Sequence, residues 1–200
     1  MEATSVDRDR VRRTIEDIPD PELPPVTIGM LGMVHAVTAE GGRIRIELLP
    51  TFSGCPATDM IERDVVDAVS ALEGVAHVQV RFRYDPPWTP DRISAEGRER
   101  LRSFGIAPPG GPIATAVRPE GRTTLPVVAR EGSDSDLLVG DVPGGAARAG
   151  SAEHRQCPYC GSDDTHRESA FGPTPCRDVR FCAACQQPFE AFRSLGATPR

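Results

Sequence analysis

The chain contains no lysine; all 23 of its basic residues are arginine. A lysine Schiff base is therefore excluded, and the bias reads as the codon usage of a GC-rich genome rather than as chemistry. Aromatic residues make up only 5% of the 200 positions, and apolar runs extend over only a few residues. A membrane-spanning helix needs about 18 consecutive apolar residues, so none is expected. Residues 1–13 mix Glu, Asp and Arg with no apolar stretch, so no secretory leader is expected and the cytoplasm is the expected compartment. Concentrated basic charge is missing too. The net charge is -6; residues 1–107 carry 13 Arg against 18 acidic groups, and residues 154–200 carry 6 against 5. That balance disfavours nucleic acid as a partner, because binding a phosphate backbone draws on a local basic excess. There is also no Ser-His-Asp order, no phosphate loop and no dinucleotide fingerprint.

What the chain has in quantity is punctuation. Its 20 Pro and 19 Gly leave material for one modest core or two small ones. Residues 1–107 read as a compact α+β unit in the order α-β-β-α-β-α. Val11, Ile15 and Ile18 recur at helical spacing behind the cap candidates Thr4 and Ser5, and the helix must end before Pro19. Residues 34–39 and 43–49 flank Gly41-Gly42 as a hairpin, in which Ile44, Ile46 and Leu48 alternate with charged neighbours. A second helix follows Pro56, with Ile61, Val65, Ala68, Val69 and Leu72 on one face and Gly74 as its stop. Val78, Val80, Phe82 and Tyr84 alternate as a third strand, and a short helix over about 94–104 closes the unit. The β-α-β crossover implies a mixed sheet with its helices on one face. Residues 108–153 differ in kind: six Pro and eight Gly fall between 108 and 152. This segment reads as a flexible linker whose two short apolar stretches, 125–129 and 137–142, are compatible with a small hairpin but fit disorder better.

Five of the six cysteines crowd into residues 154–200. Cys157-Pro158-Tyr159-Cys160 and Cys182-Ala183-Ala184-Cys185 form two C-x2-C knuckles, enough for the tetrahedral four-sulfur shell that zinc prefers. Such a segment is too small to fold on its apolar core alone, so a zinc-ribbon-like domain is expected, with iron as the chemical rival because the same thiolates suit it. Four cysteines complete the shell, which leaves His154 and His166 as surface residues. Cys176 is then an extra thiol: a small buried residue, a reactive group, or a substitute ligand. Cys55 stands alone, in Thr51-Phe52-Ser53-Gly54-Cys55-Pro56 between a strand and a helix. At a helix N-cap, free amides and the helix dipole would favour its thiolate, making it a nucleophile or a soft metal ligand; the alternative is a small buried residue at a tight turn.

Asp20-Pro21-Glu22-Leu23-Pro24, the Thr51–Pro56 stretch and Asp85-Pro86-Pro87-Trp88-Thr89 resemble the motifs of the SufT-like iron-sulfur assembly domain. Cys157-Pro158-Tyr159-Cys160-Gly161-Ser162, Phe171-Gly172-Pro173-Thr174-Pro175-Cys176-Arg177 and the run from Cys182 through Phe192 are similar to the C-terminal motif of the PaaD (PaaJ) family of the phenylacetyl-CoA epoxidase system. The resemblance implies an accessory, non-catalytic protein of aerobic phenylacetate breakdown that matures or maintains the iron or iron-sulfur centres of a multicomponent oxygenase. It implies components of that epoxidase complex as partners, a transient iron or iron-sulfur cargo, and a functional cluster at Asp20, Glu22, Thr51, Ser53 and Cys55. It also places the metal site on Cys157, Cys160, Cys182 and Cys185. The chain departs from the family at Met30-Leu31-Gly32, where members carry Asp-Leu-Gly, and in the length of its linker, which should loosen the coupling between the halves. Two other functions remain compatible with the residues: a cysteine-dependent enzyme using Cys55, and a zinc-ribbon regulator that binds nucleic acid.

Overall fold

The computed structural model describes residues 6–109 and 155–193. Helix α1 (Arg8–Glu16) buries Val11 and Ile15, one turn apart. Its cap is Asp7, whose carboxylate accepts the Asp9 N–H at 2.9 Å; this corrects the expected caps Thr4 and Ser5, which lie outside the described residues. Strands β1 (Val34–Glu40) and β2 (Arg43–Leu48) form the expected antiparallel hairpin. Gly41 and Gly42 adopt φ of 54° and 78°, the left-handed pair that a two-residue turn needs to match strand twist. Helix α2 (Thr58–Ser70) buries Ile61, Val65 and Val69 and leads to β3 (His77–Phe82), which pairs in parallel with β2. The sheet order β1-β2-β3 is therefore mixed, as the crossover requires. Its middle strand buries Ile44, Ile46 and Leu48 and leaves Arg43 and Arg45 exposed. Each such aliphatic side chain contributes about 1.5–3 kcal/mol on burial. After a 3-10 turn at Pro90–Arg92, Ser94 caps α3 (Ala95–Ser103) by accepting the Gly97 N–H at 3.0 Å.

The ribbon consists of β5 (Thr165–Ser169), β6 (Arg177–Cys182) and β7 (Gln187–Phe192), joined as antiparallel neighbours. A fourth strand comes from the other end of the sequence: β4 (Ile106–Ala107) pairs in parallel with β7, giving the order β4-β7-β6-β5. The described residues of both halves accordingly belong to one compact unit. Phe192 is fully buried in the same apolar cluster as Ile15, Leu31 and Leu101. Its ring centroid lies 5.8 Å from that of Trp88, whose indole N–H donates to the Leu31 carbonyl at 2.8 Å. The expected loosening between the halves does not hold here, because the last residue of β7 fills a place in the N-terminal core. Of the linker expected over 108–153, residues 110–153 and the candidate hairpin lie outside the described residues. Among those residues, no helix is long and apolar enough to cross a membrane.

Candidate functional site

Two groups of thiols are assembled by this architecture. In the ribbon, the sulfurs of Cys157, Cys160, Cys182 and Cys185 lie within 4.8 Å of one another. The Cys157–Cys185 separation is 3.7 Å and the Cys160–Cys182 separation 3.6 Å. A tetrahedron of sulfurs about 2.3 Å from a central zinc has edges of about 3.8 Å, so the set fits that ion. Two tight turns create it. The Gly161 N–H returns to the Cys157 carbonyl at 2.9 Å, with Gly161 at φ 71°, and the Gln186 N–H returns to the Cys182 carbonyl at 2.8 Å, with Gln186 at φ 56°. The electrostatics favour a cation as well. The Cys185 N–H aimed at its sulfur pulls the Cys182 thiol down to about 7, whereas desolvation and the neighbouring sulfurs push Cys185 up to about 12. Four thiolates crowded this closely need a positive ion between them. His166 is exposed and pairs with Glu168 at 2.9 Å, outside the cluster; His154 lies outside the described residues.

The second group surrounds Cys55. The turn over 51–55 closes with the Cys55 N–H on the Phe52 carbonyl at 3.2 Å, and α2 begins only at Thr58, capped by Ala57. Cys55 thus precedes the cap by two residues, correcting its expected N-cap position. Burial raises its pKa, outweighing a hydrogen bond from the Ala57 N–H, and the negative charges of Asp20, Cys176 and Glu22 raise it further. The expected low-pKa thiolate is therefore overturned by desolvation. No histidine stands among the groups that shift Cys55, and a protonated thiol without a neighbouring base is a poor nucleophile.

Asp20 is buried, and its Oδ1 accepts the N–H groups of Glu22 and Leu23, both at 2.9 Å. Burial raises its pKa against those two bonds. Glu22 is half-buried nearby; on the approach to Cys55, Thr51 is half-buried and Ser53 exposed. The structure thus brings Asp20, Glu22 and Cys55 within reach of one another's charges, with Thr51 and Ser53 on the adjoining turn. It also brings Cys176, which sequence reading leaves without a place. Cys176 is buried, its sulfur sits 3.1 Å from the Thr174 hydroxyl, and its carbonyl accepts the Arg193 N–H at 2.7 Å. No local pattern announces that neighbourhood, since 121 positions separate the two thiols in the chain.

Residues 8–81 match the family described as iron-sulfur cluster assembly protein, and residues 142–193 match the PaaD zinc beta ribbon domain. The fold and the four-thiol cluster therefore define an iron-sulfur-assembly-type domain joined to a zinc ribbon. Over 181 residues the chain is 35% identical to a protein of Escherichia coli (strain K12) named as a putative 1,2-phenylacetyl-CoA epoxidase subunit, covering 90% of this chain and 89% of that one. The chain belongs to this PaaD family. It is also 34% identical over 88 residues to the Fe-S protein maturation auxiliary factor YitW of Bacillus subtilis (strain 168), covering 44% of this chain and 85% of that protein. Among solved structures, the domain of unknown function DUF59 from Bacillus anthracis matches at 31% identity with a TM-score of 0.45, covering 47% of this chain and 90% of that one.

Proposed function

We propose that the protein is an accessory subunit of the phenylacetyl-CoA epoxidase system of aerobic phenylacetate degradation, and that it matures or maintains iron or iron-sulfur centres of the oxygenase. Support for the first half comes from the Escherichia coli relative, which carries the epoxidase name and is matched over nearly the full length of both chains. Support for the second is that Cys55 lies within electrostatic reach of the carboxylates of Asp20 and Glu22 in a domain of iron-sulfur assembly type. In this reading Cys55 takes iron or a cluster intermediate as cargo. The ion displaces the thiol proton, which leaves to solvent, and the thiolate holds the ion until a client ligand replaces it. Cys157, Cys160, Cys182 and Cys185 hold a resident zinc, which supplies fold rather than turnover. The ribbon then presents a fixed surface to the oxygenase components.

A maturation factor acts before turnover. Oxygenase produced in cells lacking this protein is expected to be poor in iron or cluster and weakly active, whereas oxygenase matured in its presence should work after the factor is removed. Cys55→Ala should reproduce the deficiency, read as iron per oxygenase after anaerobic purification. A fully metallated oxygenase that still needed stoichiometric fresh protein in every assay would overturn the reading in favour of a structural or catalytic subunit.

A further inference from the structure

The sheet β1-β2-β3 has a second face, turned away from the helices. α1 and α2 pack on the side that carries Ile44, Ile46 and Leu48. Side chains alternate along a strand, so Arg43 and Arg45 of β2 point the other way, and the parallel register puts Arg81 of β3 on that same face, opposite Glu47. All three arginines are exposed. We propose that this face is the surface by which the protein docks onto its client, and that the partner offers a flat, acidic protein surface. The proposal rests on the accessory-subunit reading above and adds to it the docking face and the charge of the partner.

Charge is the first observation. Among the described residues, the side chains of Arg43, Arg45 and Arg81 form no hydrogen bond or ion pair. Arginines on the helices, by contrast, find carboxylates one turn away, as in Arg12–Glu16 and Arg100–Glu96, both at 2.7 Å. The face also holds Glu40 and the pair Arg83–Glu47 at 3.0 Å, so four arginines less two glutamates leave it at +2 in a chain of net charge -6. Shape is the second. β1 sets the short side chains of Thr38 and Ala36 beside Arg45 and Glu47, which keeps that flank lower than the guanidinium groups. Place is the third. The chain passes from the end of β2 directly into the turn over 51–55, so the arginine face and the Cys55 thiol hang from one strand.

The same features decide between occupants. Three strands about 4.8 Å apart and about 20 Å long present about 300 Å², well short of the roughly 800 Å² per partner of a stable interface. Contact is therefore brief, with charge raising the rate of encounter rather than the lifetime, which suits a factor that delivers and leaves. A second copy of the chain does not fit, because this face against itself would set arginine against arginine. Nucleic acid fits poorly too: a phosphate backbone commonly engages about 6–10 cationic side chains, and here Glu40 and Glu47 interrupt the few that are present.

The test measures binding of the zinc-loaded full chain to each purified component of the phenylacetyl-CoA epoxidase, with a short DNA duplex as a second probe. The wild type should bind one component, with an association rate that falls as salt is raised from about 50 to about 300 mM. Arg45→Glu together with Arg81→Glu should slow association at least about tenfold at the lower salt and flatten the salt dependence. Replacing the same two residues by Gln should act in the same direction but less. Arg10→Glu, a reversal on α1 and so on the helical side of the sheet, should leave the rate close to that of the wild type; a loss equal to that of Arg45→Glu alone would mean that net charge and not this face governs binding, and would overturn the inference. Zinc at one per chain and unchanged tryptophan emission in each variant show that it is folded. If the wild type holds the duplex through these arginines and no epoxidase component, the inference is overturned in favour of nucleic acid. If the double variants bind the component as the wild type does, the inference falls and the accessory reading stands. If the wild type binds no component, the inference also falls, and the iron content of oxygenase in cells judges the maturation reading separately.

Discussion

At Cys55 two familiar influences on a thiol oppose each other. The amide of Ala57 favours the thiolate, while burial and three neighbouring acids favour the thiol. Burial wins, so at neutral pH the group is protonated and slow to react. Its alkylation rate, followed by mass mapping of the Cys55 peptide in the zinc-loaded chain, should rise with a midpoint above the roughly 8.5 of a free thiol. Asp20→Asn removes one of the repelling charges and should bring that midpoint down. A wild-type midpoint at or below 8.5 would contradict the assignment. The sequence places Cys55 correctly between a strand and a helix. It does not show that two more residues intervene before the cap, nor that the charges of Asp20 and Cys176 act on the sulfur, because those neighbours are set by tertiary packing.

Local elements follow their local signals closely wherever the signal is backbone chemistry. Gly41-Gly42 makes the hairpin turn, Ser94 caps α3, and the alternation of Ile44, Ile46 and Leu48 sets the buried face of β2. β4 has no such signal: a two-residue strand exists only by pairing with β7, more than eighty positions away. The knuckles are legible because C-x2-C spacing is itself a turn requirement. Changing Cys160 or Cys182 to Ser should release the zinc, whose binding supplies folding free energy on the order of 10 kcal/mol. The loss should be felt at Trp88, the one tryptophan in the chain, since its ring rests beside Phe192. Chelation is therefore expected to red-shift tryptophan emission. Unchanged emission from fully zinc-free protein would mean that β7 holds its seat without the metal.

For the whole molecule, the shared core makes a separable N-terminal half an inadequate picture. Phe192→Ala opens a cavity in the shared apolar cluster beside Trp88 and should cost about 3–5 kcal/mol. Because the damage falls on both halves, calorimetry should show a single transition moved to lower temperature. A transition of residues 1–107 that stayed at its original temperature would show that the halves unfold independently. The Met30-Leu31-Gly32 departure also becomes intelligible at this scale: the Met30 carbonyl accepts the Ser94 N–H at 2.9 Å, and the fully buried Leu31 offers its carbonyl to the Trp88 indole. These positions brace the third helix and the indole through their backbone, whatever side chain stands at position 30. The seating of Phe192 has one more consequence. A junction filled by a strand pair and an aromatic plug needs no peptide link to exist, so the chain should survive being cut in two. Residues 1–112 and 153–200, produced together as separate polypeptides with zinc, are expected to find each other and copurify, and Phe192→Ala in the shorter piece should abolish that reunion.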